Sequence, residues 1–96
     1  MSQRIGKSWV VFASVENGER DRCVDIFHRP DRTFGFEEFR RDVEDRGAWT
    51  PMQFFSGTAY VTPEDAYEAA ERLIPWLAYV LASDPSLRKI PPRALG

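Results

Sequence analysis

Short β-branched and aromatic runs separated by polar turns fill residues 8–40, and a helical period sets in after residue 62. Residues 8–15, Ser-Trp-Val-Val-Phe-Ala-Ser-Val, are β-branched and aromatic and predict a strand. Residues 16–22 are polar and hold Asn17-Gly18, a turn signal. Residues 23–28 predict a second strand and residues 34–40 a third. Between them Arg29-Pro30-Asp31-Arg32-Thr33 reads as a type I turn with proline at its second position. A charged loop is expected at 42–47. A fourth strand is expected over 52–60, broken or bulged near Gly57.

Turn length sets a register. A three-residue loop from Pro30 to Arg32 puts Arg32 in the left-handed region and pairs Arg29 with Thr33, Ile26 with Phe36 and Val24 with Glu38. A seven-residue first loop pairs Val15 with Cys23 and Phe12 with Ile26. Side chains alternate across a strand, so two faces result. Val10, Phe12, Val24, Ile26, Phe34 and Phe36 share an apolar face, the expected core. Trp9, Val11, Ala13, Cys23, Asp25, Phe27, Glu37 and Phe39 share the reverse face. A slip of one residue in either hairpin exchanges these sets.

The helix announces its own start. Thr62 supplies a capping hydroxyl, Pro63 suits the first helical position, and Glu64 and Asp65 face the positive end of the helix dipole. Ala66, Ala70, Leu73, Ile74 and Leu77 then recur along one stripe, with Glu64, Glu68, Glu71 and Arg72 toward water. Pro75 must kink or restart the helix, because it lacks an N–H and crowds the carbonyl four residues back. The residues after it, 76–82, are apolar on every side and need cover. The expected fold is α+β: an antiparallel sheet of three to four strands in a hairpin meander, with one C-terminal helix, kinked or interrupted at Pro75, packed on one face. Residues 1–96 make one domain, with an ordered core over about 8–82 and a flexible tail over 83–96 that carries Pro85, Pro91 and Pro92.

Composition narrows the class. The chain is 43% hydrophobic and 14% aromatic, enough for a packed core. A formal net charge of −2, with acids and bases intermixed, gives no long-range attraction to nucleic acid or to an anionic membrane. No apolar run approaches a membrane span, and Met1 to Lys7 lack the pattern of a signal peptide. Cys23 is the lone cysteine, which fits a reducing, cytoplasmic setting.

Candidate chemistry is sparse. Cys23 and His28 are five residues apart on one strand, hence on opposite faces and about 16 Å apart, too far for a nucleophile and its base. One histidine and one cysteine do not make the paired spacing of a zinc site, so no metal or cofactor is expected. Asp25 and Glu37 would meet across strands two and three, either as an acid/base pair or as carboxylates paired with Arg29, Arg40 or Arg41.

Two stretches carry a likeness. Arg32-Thr33-Phe34-Gly35-Phe36-Glu37-Glu38-Phe39 resembles the RNP1 strand of RNA-recognition-motif domains at Arg32, Phe34, Gly35, Phe36 and Phe39. It departs at Thr33, where that motif has glycine, and at Glu37, where it has an aliphatic residue. The resemblance implies Phe34 and Phe36 exposed for stacking on RNA bases. Ser56, Gly57 and Tyr60 ahead of a capped helix are similar to the S-x-G-Y-like strand of YegP-like small bacterial domains, with longer spacing. That likeness implies a strand–strand–strand–helix unit and no catalytic residues.

One helix covers one face of a sheet, so the reverse face is expected to stay open. The functional expectation is a non-enzymatic protein-interaction module that pairs as a homodimer through Trp9, Val11, Phe27 and Phe39, with Trp76 beside them. The alternative is that residues 42–51 and those after Pro75 fold over that face from the same chain. Single-stranded nucleic-acid binding through residues 32–39, or a small-ligand site using Asp25, Glu37 and His28, are the other readings.

Overall fold

The computed structural model describes residues 8–41, 49–51 and 55–91. The expected charged loop at 42–47, residues 52–54 of the expected fourth strand, the segment before Ser8 and the tail from 92 lie outside the described residues. Four strands, β1 (Val10–Glu16), β2 (Arg22–His28), β3 (Phe34–Arg41) and β4 (Trp49–Pro51), form an antiparallel meander in chain order. Two helices follow, α1 (Pro63–Leu73) and α2 (Pro75–Ser83). The fold is α+β, as the pattern predicts. No helix among the described residues is long and apolar enough to cross a membrane.

The second hairpin follows its turn. Arg29 N donates to Thr33 O and Arg32 N to Arg29 O, while Arg32 takes φ 71°. Asp31 accepts from the Thr33 amide and hydroxyl, which holds its carboxyl below the usual range. Ile26 therefore faces Phe36, and Val24 faces Glu38.

The first hairpin departs by one residue. Glu16, not Val15, faces Cys23, because the Asn17 side-chain Oδ1 accepts from the amides of Asp21 and Arg22 and shortens the loop. The slip turns Ala13 and Val15 onto the helix side, where both are buried, and corrects the expected place of Ala13. A β-bulge at Phe12 then restores the phase of the outer half of β1. Phe12 stays on the core side, edge-on to Phe34 at 6.1 Å. Val10, expected in the core, is nearly half exposed.

The fourth strand is also corrected. It lies at Trp49–Pro51, where an edge position tolerates a proline that cannot donate, and Arg41 pairs with Trp49. Residues Phe55–Gly57 instead wind into a 3-10 turn, closed by Thr58 N donating to Phe55 O. Tyr60 returns as a single bridge to Phe34.

At Pro75 the helix breaks rather than bends. Ile74 is extended (φ −127°, ψ 90°), the backbone a residue before proline favours. Ala66, Ala69, Ala70 and Tyr67 of α1 pack on the sheet with Ile74, Leu77 and Leu81. Leu73, in phase with the alanines but in the last turn, is half exposed. Thr62 Oγ1 accepts from Asp65 N at 3.0 Å. Thr62→Ala is expected to cost about 1 kcal/mol and to lower the melting temperature by roughly 4–8 °C. A thermal melt checks this, and an unchanged midpoint would mean that water replaces the cap.

Between Asp84 and Lys89 the chain stays in contact with the helices and the core. Pro85–Leu87 form a 3-10 turn, Leu87 packs on the core and the Tyr67 hydroxyl donates to Lys89 O at 2.6 Å. Burial pushes the Tyr67 phenol up to about 12, so it remains a donor. Arg88 pairs with Glu71 and lies over the Tyr67 ring.

Candidate functional site

The reverse face carries Trp9, Val11, Ser14, Cys23, Asp25, Phe27, Gly35, Glu37 and Phe39, by strand alternation and the pairings. It is not the open aromatic surface expected. Phe27 and Phe39 are fully buried, and Trp9 and Val11 are half-buried. Trp9 stacks on Phe27 at 4.8 Å and 15°, with the Arg29 guanidinium 4.5 Å from the Trp9 ring centre and 5.1 Å from that of Phe27. Gly35 makes this possible: a Cβ there would sit 2.7 Å from Arg29 and 2.8 Å from Phe27. A glycine facing an aromatic across a strand pair lets the ring lie over the backbone.

Arg29 is 8% exposed and bridges separate segments. Its Nη1 donates to Thr33 Oγ1 and Phe34 O, its Nη2 to Ser56 O at 2.6 Å and Thr58 O at 3.3 Å. Desolvation draws its pKa below the ordinary value, against the nearby Asp31 charge. Arg29 thus binds carbonyls of the 55–58 segment rather than Asp25 or Glu37.

Asp25 and Glu37 do face each other across β2 and β3, and both are buried. Both Glu37 oxygens and Asp25 Oδ1 bond to the scaffold. Glu37 accepts from Ser56 N at 3.0 Å and from Glu38 N at 3.1 Å, which staples the 3-10 turn to β3. Asp25 Oδ1 accepts from Ser14 Oγ at 2.8 Å and from Cys23 Sγ at 3.3 Å. His28 sits on the other face, tilted against Phe34 at 4.9 Å, so Cys23 gains no base from it. Phe34 and Phe36 are buried beneath the helices, Phe36 completely, which removes the base-stacking arrangement implied by residues 32–39.

Trp76 belongs to the helix side, not to the reverse face. Its Nε1 donates to Glu38 Oε2 at 2.8 Å and ties α2 to β3. With Leu77 and Leu81 buried, the remaining side of α2 looks outward: Trp76 and Val80 are half-buried and Tyr79 is 76% exposed. Between this side and the β1–β2 loop lies an open cleft of about 530 Å³. Glu16, Asn17, Gly18 and Glu19 form one wall, and Trp76, Tyr79, Val80, Ser83 and Asp84 the other. This cleft is the candidate site. Its size falls within the range of small-molecule and side-chain pockets.

No protein-family model matches the chain, and no curated protein or solved structure does either. The site must be read from its own chemistry.

Sequence reasoning singled out Trp76 and the all-round apolarity of residues 76–82, but not the opposite wall. The Asn17-Gly18 turn was the available signal for it. It could not be joined to α2 without knowing that the helix restarts at Pro75 and lies beside the first hairpin.

Proposed function

We propose that the domain is a non-enzymatic protein-interaction module that engages its partner through α2 and the adjoining cleft. The observation that carries this is the outward side of α2, where Tyr79 is 76% exposed beside a half-buried Trp76 and Val80. Exposed aromatic surface next to a concave wall is characteristic of binding sites. The buried polar groups support the same reading. Arg29, Glu37 and Glu38 hold segments of the fold together, work that leaves them poorly suited to meet a substrate.

Self-association through the reverse face has less in its favour than the sequence suggested. With Phe27 and Phe39 covered, only Trp9 and Val11 of the four sheet residues offer area to a second copy. A cytoplasmic location is part of the proposal, supported by a lone cysteine whose buried thiol lies beside Ser14 and Asp25.

A photo-crosslinking residue at position 79 tests the reading in cells, with one at Glu68 on the exposed side of α1 as the control. Discrete adducts are expected at 79 and not at 68. Equal or absent adducts at both positions would remove α2 as the contact surface.

A further inference from the structure

The charge and aromatic character of the cleft specify a ligand class. Among the described residues three carboxylates line it, Glu16 at the end of β1, Glu19 on the loop and Asp84 at the end of α2, and none of those lining residues is a lysine or arginine. The same walls hold Trp76 and Tyr79. A cation over an aromatic face is attracted by the ring quadrupole, and nearby carboxylates add to that attraction. The molecule uses this contact repeatedly: Arg29 over Trp9, Arg41 over Trp49 and Arg88 over Tyr67, at 4.5–5.1 Å. Among the described residues no arginine lies over Trp76 or Tyr79.

We infer that the cleft receives an arginine or lysine side chain carried on a short apolar segment of a partner protein. This rests on the interaction reading above and names the chemistry it selects. A second copy of this chain in symmetric pairing fits poorly, because Glu16, Glu19 and Asp84 would meet their own images. Nucleic acid and anionic membrane surfaces are repelled by the same carboxylates. The walls are also set in advance. Asn17 holds the loop through Asp21 and Arg22, Asp84 Oδ1 accepts from the amide and hydroxyl of Ser86, and Glu38 fixes the Trp76 ring. Binding to a fixed site avoids the entropy of ordering it.

Three capped pentapeptides test the inference by amide NMR titration of the full chain: Leu-Arg-Leu-Arg-Leu, its citrulline isostere, and the glutamate counterpart. The arginine peptide is expected to move the Trp76 indole and the amides of Glu19 and Val80. Loss of its charge in the citrulline isostere should weaken binding about ten-fold. The double variant Glu16→Gln, Glu19→Gln should weaken the arginine peptide about five-fold, with the melting temperature unchanged. Equal affinity of the arginine and citrulline peptides at these resonances would overturn the cationic assignment and leave an interaction cleft standing. Preference for the glutamate peptide would do the same. If none of the three moves a cleft resonance, both readings fall.

Discussion

Replacing Arg29 by methionine is expected to destabilise the domain by about 3–5 kcal/mol. Methionine can retain the aliphatic volume under Trp9, but it supplies no donor for Thr33 Oγ1, Phe34 O, Ser56 O or Thr58 O. Phe34 O keeps the Tyr60 amide, so the loss concentrates at Ser56 and Thr58, whose carbonyls turn toward the sheet to meet the guanidinium. Hydrogen bonds to charged groups contribute about 1.5–3 kcal/mol each. A 96-residue domain holds only about 5–14 kcal/mol in all. The urea midpoint should therefore fall by a large fraction, with the slope of the transition retained. A loss below about 1 kcal/mol would mean that water serves these carbonyls as well as Arg29 does. Lysine at the same position should recover only part of the loss, because one ammonium cannot span two turns.

Phe36→Ala is expected to cost about 3–5 kcal/mol. The ring is wholly buried, opposite Ile26 on β2, 5.1 Å from the Phe55 ring and 5.9 Å from the Tyr60 ring. Truncation opens a hole between the sheet and the segment leading into α1. Phe36→Leu keeps most of the volume and should cost less than about 1.5 kcal/mol. The pair also separates two views of residues 32–39. A stacking platform for bases would lose binding and keep its stability when Phe36 is cut to alanine, whereas a core residue loses stability. Chemical denaturation of the two variants decides it.

What could be read in advance followed from local rules. The Pro30 turn determined its own register, because three loop residues with Arg32 in the left-handed region leave one way to pair the strands. The start of α1 and its end before Pro75 were equally legible, since capping and proline geometry act within a few residues. The first hairpin was not. Its register depends on which loop amides the Asn17 side chain engages, and its strand phase on a bulge at Phe12, neither of which alternation encodes. The reverse face misled for a different reason. Hydrophobic residues on a sheet face announce burial but not by what, and the cover at Phe27 comes from Trp9 and Arg29, close neighbours along the strands. The candidate cleft was half legible: its helical wall stood out by apolarity, while its acidic wall is an ordinary polar loop until the fold brings the two together.

The extra residue in β1 also has a bearing on solubility. β1 forms one border of the sheet, and a border strand offers its outward backbone groups to any extended chain that can match their spacing. At Phe12 the spacing is interrupted in mid-strand, so a straight newcomer aligned with residues 13–16 falls out of step with residues 10 and 11. The bulge that keeps Phe12 on the core side thus also discourages the sheet from growing into a fibre.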